Sequence, residues 1–391
     1  MKVICDRAAL LSAVNMASGV VATRTPRPQL TCIKLTARKS GKTSDLTLSA
    51  TDGEAALRLT VAQVDVQEPG EAVIPADKLR QIVSAEEGDP TLTIETEDDA
   101  CHIRGTDARF KVFGYKPSEF PAIPDFEKVL SGKDGGKVAT FTHTAGGLST
   151  MIARTLFATA RENSRYAING ALLKRDGKKL EMVATDGRRL ALARQTLANA
   201  DKDGAAITCI VPARALGLMQ RLMDEPEAQV RVAVTENQIL VAIGSPEEGG
   251  IRAALASNLV EGAFPPYEEV IPKDQDKKVV FDRDVLSSAV RRAALLTNEE
   301  SRGVRMKFKG AEKQLELSSR APEMGEAEVN VELSSYEGAD LEIGFNPTFI
   351  TDALKVMTDP SVIMELKAHN RPGVVKSGND FVYVVMPVNL Q

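Results

Sequence analysis

The stretch Met182–Arg194, "MVATDGRRLALAR", has a near copy at Leu48–Leu59, "LSATDGEAALRL". Each enters Ala-Thr-Asp-Gly from an apolar stretch, passes two variable residues and then alternates apolar residues. Alternation is the period of a half-buried strand, and Asp-Gly suits a tight turn because glycine tolerates positive φ. Both copies therefore read as strand–turn–strand hairpins. Asp52 and Asp186 alone could mark a catalytic carboxylate, but recurrence points to structure rather than chemistry.

Two further kinds of segment recur in the same order. Helical openers begin near Cys5 ("CDRAALLSAVNMASGVV"), Thr142 ("THTAGGLSTMIARTLFATA") and Phe281 ("FDRDVLSSAVRRAALLTNEE"). Leu148, Ile152, Thr155 and Leu156 fall on one helical face, as do Val285, Leu286, Ala289, Val290 and Ala293. An Asp ahead of the apolar run in the first and third openers is placed to cap the helix. The other kind is a strand, a proline and a short helix: "AVIPADKLRQIVS", "CIVPARALGLMQRLM" and "IGFNPTFITDALKVM". Their prolines, Pro75, Pro212 and Pro347, lie 137 and 135 residues apart, and Asp52 and Asp186 lie 134 apart. "KQLELSSRAPEMGEAEVNVEL", from Lys313, fills the third hairpin slot.

One period shared by independent markers predicts an α+β chain of three similar domains, each with two helices and antiparallel strands. The expected domains are residues 1–128, 138–272 and 277–391. Expected linkers are Glu127–Lys137, "EKVLSGKDGGK", and Pro272–Lys278, "PKDQDKK".

Composition narrows the function. The 391 residues carry a net charge of −5, so a uniformly basic nucleic-acid binder is excluded, though a local basic surface is not. Four cysteines and three histidines are scattered without metal-ligand spacing, so no metal or other cofactor is expected. Scattered thiols fit a reducing cytoplasm. The N-terminus shows no secretory leader, and no run reaches the ~20 apolar residues of a membrane span, so no membrane partner is expected. "SGKTS" (Ser40–Ser44) has Thr36 where a phosphate loop needs glycine, and reads as a hairpin turn. No nucleophile–histidine pattern stands out, so no catalytic residue is assigned.

Basic residues recur on the predicted helices. Arg154, Arg161 and Arg165 fall at i, i+7 and i+11, on one face if the helix continues. Arg291 and Arg292 lie on the third opener, Lys78, Arg80, Arg214, Arg221 and Lys355 on the short helices, and Arg24 and Arg27 in a loop. Such residues suit either ordinary solvated faces or one positive lining that holds DNA phosphates without reading bases.

Together "VATDGRRLAL", "RYAINGALL" (Arg165–Leu173), "FPPYEEVIP" (Phe264–Pro272), "SRGVRMKF" (Ser301–Phe308), "EIGFNPTFITDAL" (Glu342–Leu354) and "YVVMPVNLQ" resemble the bacterial DNA polymerase III beta subunit family, the sliding clamps, along essentially the whole chain. The resemblance implies three repeated clamp domains and a six-domain ring made as a head-to-tail homodimer, with helices lining the hole. Double-stranded DNA would be bound independently of sequence, with Arg24, Lys78, Arg154, Arg161, Tyr166 and Arg291 facing it. A partner-peptide pocket would be walled by Arg165, Ile168, Thr185, Gly187, Arg188, Arg189, Leu190, Pro265, Val270, Val384, Met386, Pro387, Val388 and Leu390. Its implied users are the replicative polymerase alpha subunit, the clamp loader, and other polymerases and repair proteins. Arg109, Phe110 and Val112 would meet Leu295 and Leu296 across the dimer interface, with the acidic run Glu323–Glu328 opposite Arg109. This sequence departs from the family pattern at Asn389, Gln391, Glu268, Glu269, Ala167 and Asp77. The competing expectations are an enzyme with a cleft near Asp186 and Arg188, and a peptide-binding scaffold without DNA.

Overall fold

The computed structural model describes residues 1–40, 43–61, 63–97, 100–131, 137–160, 167–198, 205–244, 250–297 and 303–389. Seven α-helices occur among them: α1 (Arg7–Ser18), α2 (Ala76–Ala85), α3 (Phe126–Leu130), α4 (Ala145–Leu156), α5 (Ala213–Leu222), α6 (Arg283–Ala293) and α7 (Pro347–Lys355). The chain groups into two compact units. One comprises Met1–Leu148, Asp203–Ala205 and Gly217–Leu259; the other comprises Ser149–Lys202, Ala206–Leu216 and Val260–Gln391.

The predicted caps form. Asp6 accepts from the Ala9 amide at 2.8 Å, and Asp282 accepts from Asp284 and Val285 at 3.0 and 2.9 Å. Each bond satisfies an amide that the first helical turn leaves without an intrahelical acceptor. Leu286, Ala289, Val290 and Ala293 form the buried stripe of α6. Val285 does not join it and is 48% exposed, because its position in the first turn lies off that stripe. The three prolines are not equivalent. Pro75 and Pro212 end strands, whereas Pro347 is the first residue of α7, behind an Asn346 cap that accepts from the Thr348 amide at 2.9 Å.

The first unit holds an eight-stranded antiparallel sheet. Strands from the first and second repeats join where Ala55–Val61 pairs with Ala253–Asn258, with Leu57 opposite Leu255. The second unit holds a nine-stranded sheet, joined where Arg189–Thr196 pairs with Phe381–Val385. Both joints follow one rule: the strand after the Asp-Gly turn of one repeat pairs with the last strand of the next. Two members of the rule are left over among the described residues. Arg109–Phe113, the last strand of the first repeat, is the edge of a five-stranded sheet; Gly325–Glu332, the post-turn strand of the third, is the edge of a four-stranded sheet.

The first expected linker is partly structured. Its opening is α3, capped by Asp125, and Phe126 is buried with Val129 and Leu130 beside Ala233, Leu240 and Ala242. Residues 132–136 fall outside the described residues. In the second linker, Gln275 donates to the carbonyls of Glu365 and Pro372 at 3.4 and 2.8 Å, and the strand Lys277–Asp282 begins inside it.

Asp125 also accepts from Arg58 at 2.8 Å. Partial burial alone would raise its pKa, but Arg58 and the Lys128 amide outweigh this and hold it below the ordinary aspartate range. A depressed folded-state pKa contributes stability above the unfolded value of about 3.9 that is lost as pH falls through the folded value. Asp125→Asn should therefore lower the unfolding midpoint at pH 7 and change it much less at pH 2–3. Equal losses at both pH values would contradict the assignment.

Candidate functional site

The two Asp-Gly hairpins are built by the same bonds. Thr51 donates to the Ala55 carbonyl at 2.8 Å and accepts from the Gly53 amide at 3.1 Å; Thr185 donates to the Arg189 carbonyl at 2.7 Å and accepts from the Gly187 amide at 3.1 Å. Asp52 accepts from Glu54 and Ala55 at 2.9 and 2.8 Å, and Asp186 from Arg188 and Arg189 at 2.9 and 3.0 Å. Gly53 and Gly187 sit at φ 97° and 84°, where a side chain would strain the backbone. The carboxylates are turn-formers, as their repetition implied.

The second copy differs at Arg189. Its guanidinium reaches Asp186 at 2.9 Å, Asp352 on α7 at 3.0 Å and the Phe157 carbonyl at 2.7 Å. It lies over the rings of Phe349 and Phe157, with centroid distances of 4.4 and 5.4 Å. Burial alone would lower its pKa, but Asp352, Tyr383 and Asp186 raise it further, so it stays charged. A planar five-donor fork meets these partners in a way that a lysine ammonium cannot. Arg189 thus ties the hairpin to α7. Burial pushes up the pKa of the Tyr383 phenol, which donates to the Phe349 carbonyl at 2.9 Å and holds the same helix.

Above this lock lies an apolar cluster of Ala167, Leu172, Val183, Leu190, Leu192, Ile210, Tyr267 and Val384, with Phe264 and Ile271 packed against it. Ile168 and Thr185 are nearly buried nearby, at 7% and 8% exposed. Leu190 and Val384 face each other across paired strands and are only 2% and 1% exposed. Both are buried in the joint between these strands, so neither adds exposed apolar surface beside the hairpin. The exposed apolar surface comes from Val270 at 47% and Met386 at 40%. Gly187 and Arg188 are exposed on the turn, and Pro265 and Pro387 are half-buried. The tail is held by backbone: the Met386 amide donates to Arg188 at 2.9 Å and the Val388 amide to Gly344 at 2.9 Å. The rim is polar. Tyr267 donates to Glu181 at 3.2 Å, and Glu268 pairs with Lys174 at 3.4 Å.

The two leftover edges are chemically complementary. On Arg109–Phe113, Arg109, Lys111 and Phe113 are exposed, with Phe113 at 74%, while Phe110 and Val112 are half-buried on the other face. On Gly325–Glu332, Glu326, Glu328, Asn330 and Glu332 are exposed, with Ala327 and Val329 half-buried. Leu295, 73% exposed, Leu296 and Met324, 51% exposed, lie near the start of that strand. Phe113 and Met324 were missed in the sequence, where an apolar residue in an alternating strand does not reveal that its face is bare.

Three family models match in order: DNA polymerase III beta subunit N-terminal domain over residues 1–124, central domain over 144–266 and C-terminal domain over 268–389. The beta sliding clamp of Pseudomonas putida is 33% identical over 387 residues, covering 98% of this chain and 99% of that protein. The beta sliding clamp of Escherichia coli K12 is 30% identical and covers 100% of both chains. The chain belongs to the DNA polymerase III beta subunit family. Solved sliding clamps agree in fold. A Pseudomonas aeruginosa clamp bound to griselimycin gives a TM-score of 0.86 at 32% identity, and a Bacillus subtilis clamp 0.87 at 25%, each over 100% of both chains.

Of the DNA-facing residues that this beta subunit family implies, Arg24, Lys78 and Arg291 are exposed. Lys78 lies 3.7 Å from its neighbour Asp77. Arg154 is half-buried over the Phe381 ring, 5.6 Å from its centroid. The expected continuous face of Arg154, Arg161 and Arg165 does not form within one helix, because α4 ends at Leu156. Past that end, the Phe157 carbonyl accepts from the distant Arg189 and the Leu156 carbonyl from the Thr159 hydroxyl at 2.9 Å, so one tertiary and one local bond take the place of helical ones. Arg161, Arg165, Tyr166, Leu390 and Gln391 lie outside the described residues. No described helix is long and apolar enough to cross a membrane.

Proposed function

We propose that the chain is a DNA-encircling sliding clamp that confers processivity on the replicative polymerase and catalyses no reaction itself. The observation that carries this reading is the joint rule. Two joints within the chain pair a post-turn strand with the last strand of the next repeat. The one remaining post-turn strand, Gly325–Glu332, and the one remaining last strand, Arg109–Phe113, are both unpaired edges among the described residues. A second copy placed head-to-tail satisfies both edges twice and closes a six-domain ring over residues 1–128, 138–272 and 277–391 of each chain. Closure also removes exposed strand edges that otherwise invite aggregation. Arg109 and Lys111 then oppose Glu326 and Glu328, and Phe110 and Val112 meet Leu295 and Leu296.

A closed ring separates residence from affinity. Individual phosphate contacts from Arg24, Lys78, Arg154, Arg161, Tyr166 and Arg291 stay weak and exchangeable, so the ring slides while topology prevents escape. The groove bounded by Val270, Pro265, Gly187, Met386 and Pro387 takes a short apolar peptide; Arg165, Ile168, Thr185, Arg188, Val388 and Leu390 complete it, over the Leu190–Val384 pair and the Arg189 lock. Met386 is unbranched and adaptable, which suits a site shared by the polymerase alpha subunit, the clamp loader and repair proteins. The protein works in the cytoplasm, on the nucleoid.

The test is primer extension by the cognate polymerase on a loaded circular template. Adding the chain should lengthen products many-fold. Deleting the tail from Met386 onward should abolish that gain and peptide binding while the dimer survives. Equal product lengths with and without the intact chain would overturn the clamp reading.

A further inference from the structure

A cleft of about 390 Å³ opens beside the apolar groove, and Val270 lines it. One wall is the segment Glu268–Gln275, and the other is the turn between the strands Ser361–Leu366 and Gly373–Ser377. Register puts this turn at the groove end of the sheet: Gly373 pairs with Val385, which on its other side pairs with Arg189. A segment leaving the groove past Val270 therefore enters the cleft.

The charges in the cleft are unequally spent. Glu268 is paired with Lys174, and Asp274 with Lys367. Glu269, Lys273 and Arg371 line the cleft and make no ion pair among the described residues; with Glu268 taken up by Lys174, the lining sets the three cations Lys273, Lys367 and Arg371 against the two carboxylates Glu269 and Asp274. Arg371 also faces Asp274 and helps to hold that carboxyl below its usual range, behind the larger effect of Lys367. Arg371 is exposed at the cleft, and a guanidinium presents two parallel N–H donors, the geometry that a carboxylate fills.

We infer that this cleft is a charged extension of the peptide groove that receives an acidic residue flanking the apolar anchors of a partner segment. The inference rests on the groove reading. The occupant's carboxylate lies between Arg371 and Lys273, and Glu269 on the lip disfavours the same acid one residue nearer the groove. Partner segments are thereby ranked by charge after their apolar residues have docked.

The test uses three peptides with identical apolar anchors and an acidic, neutral or basic flank, titrated by fluorescence anisotropy against the full-length protein. The acidic flank should bind about three- to five-fold tighter than the neutral one, the range of a partly exposed charge pair, and the advantage should shrink at high salt. Arg371→Gln and Lys273→Gln should each reduce the advantage, with neutral-peptide affinity unchanged. Equal affinity for acidic and neutral flanks, or an advantage that survives both substitutions, overturns the cleft assignment. Failure of the groove reading looks different: the neutral peptide then binds no better after its anchors are restored from alanine.

Discussion

Replacing Arg189 by methionine should lower the unfolding free energy by about 2–4 kcal/mol, the cost of stripping the partner from largely buried charges. Asp186 and Asp352 have side chains only 19% and 23% exposed, so each would lose its cation where water reaches it poorly. The Phe157 carbonyl would lose its donor, and the Phe349 and Phe157 rings the cation that lies over them. Arg189→Lys keeps the charge but not the fork, and should recover only part of the loss. Denaturant midpoints measure both. Peptide affinity should fall as well, since the hairpin that holds Met386 through the Arg188 carbonyl is no longer tied to α7. A methionine variant with native midpoint and native affinity would show that the lock holds nothing.

Reversing the charge of the first edge, Arg109→Glu with Lys111→Glu, should weaken dimerisation by roughly 100-fold, because like charges would then face each other along a strand pair. Reversing the second edge, Glu326→Lys with Glu328→Lys, should do the same. The decisive sample is the mixture. In a head-to-tail ring, one interface then joins the two reversed edges and the other joins two native edges, so mixed chains should recover native dimer stability while each variant alone does not. Sedimentation velocity reads all three samples. Two interfaces related head-to-head would already set like charges against each other in the native dimer, so neither reversal alone would then weaken it.

What the sequence disclosed follows from the range of the forces involved. The hairpin at Thr185–Arg189 and the caps at Asp6 and Asp282 are local, made by bonds that span two to four residues, and they are legible from residue type alone. The α+β repeat is legible because three copies of one pattern reinforce each other. The Arg189 lock is not, since its partner Asp352 is 163 residues away and nothing in "DGRRL" separates Arg189 from its exposed neighbour Arg188. The end of α4 is hidden for the same reason: the continuing pattern through Arg161 carries no glycine or proline, and tertiary bonds to the Phe157 carbonyl stop the helix. Burial of Leu190 and Val384 depends on a strand pairing between distant segments, which their apolar character alone does not disclose.

The joint rule itself emerged only with the sheets. Copy number in the sequence sets three repeats, but the pairing of each post-turn strand with the next repeat's last strand is a property of register. From it come the two bare edges, and from them the ring.

Topology is the central claim, and retention on DNA tests it most directly. The labelled protein, loaded onto a nicked circular plasmid by the cognate clamp loader and freed of unbound chain by gel filtration, should remain with the circle for many minutes in salt that dissolves ordinary phosphate contacts. A single restriction cut should release it within the time needed to slide to an end. Retention that is the same before and after the cut would mean that the chain holds DNA by affinity, and the encircling account would be wrong.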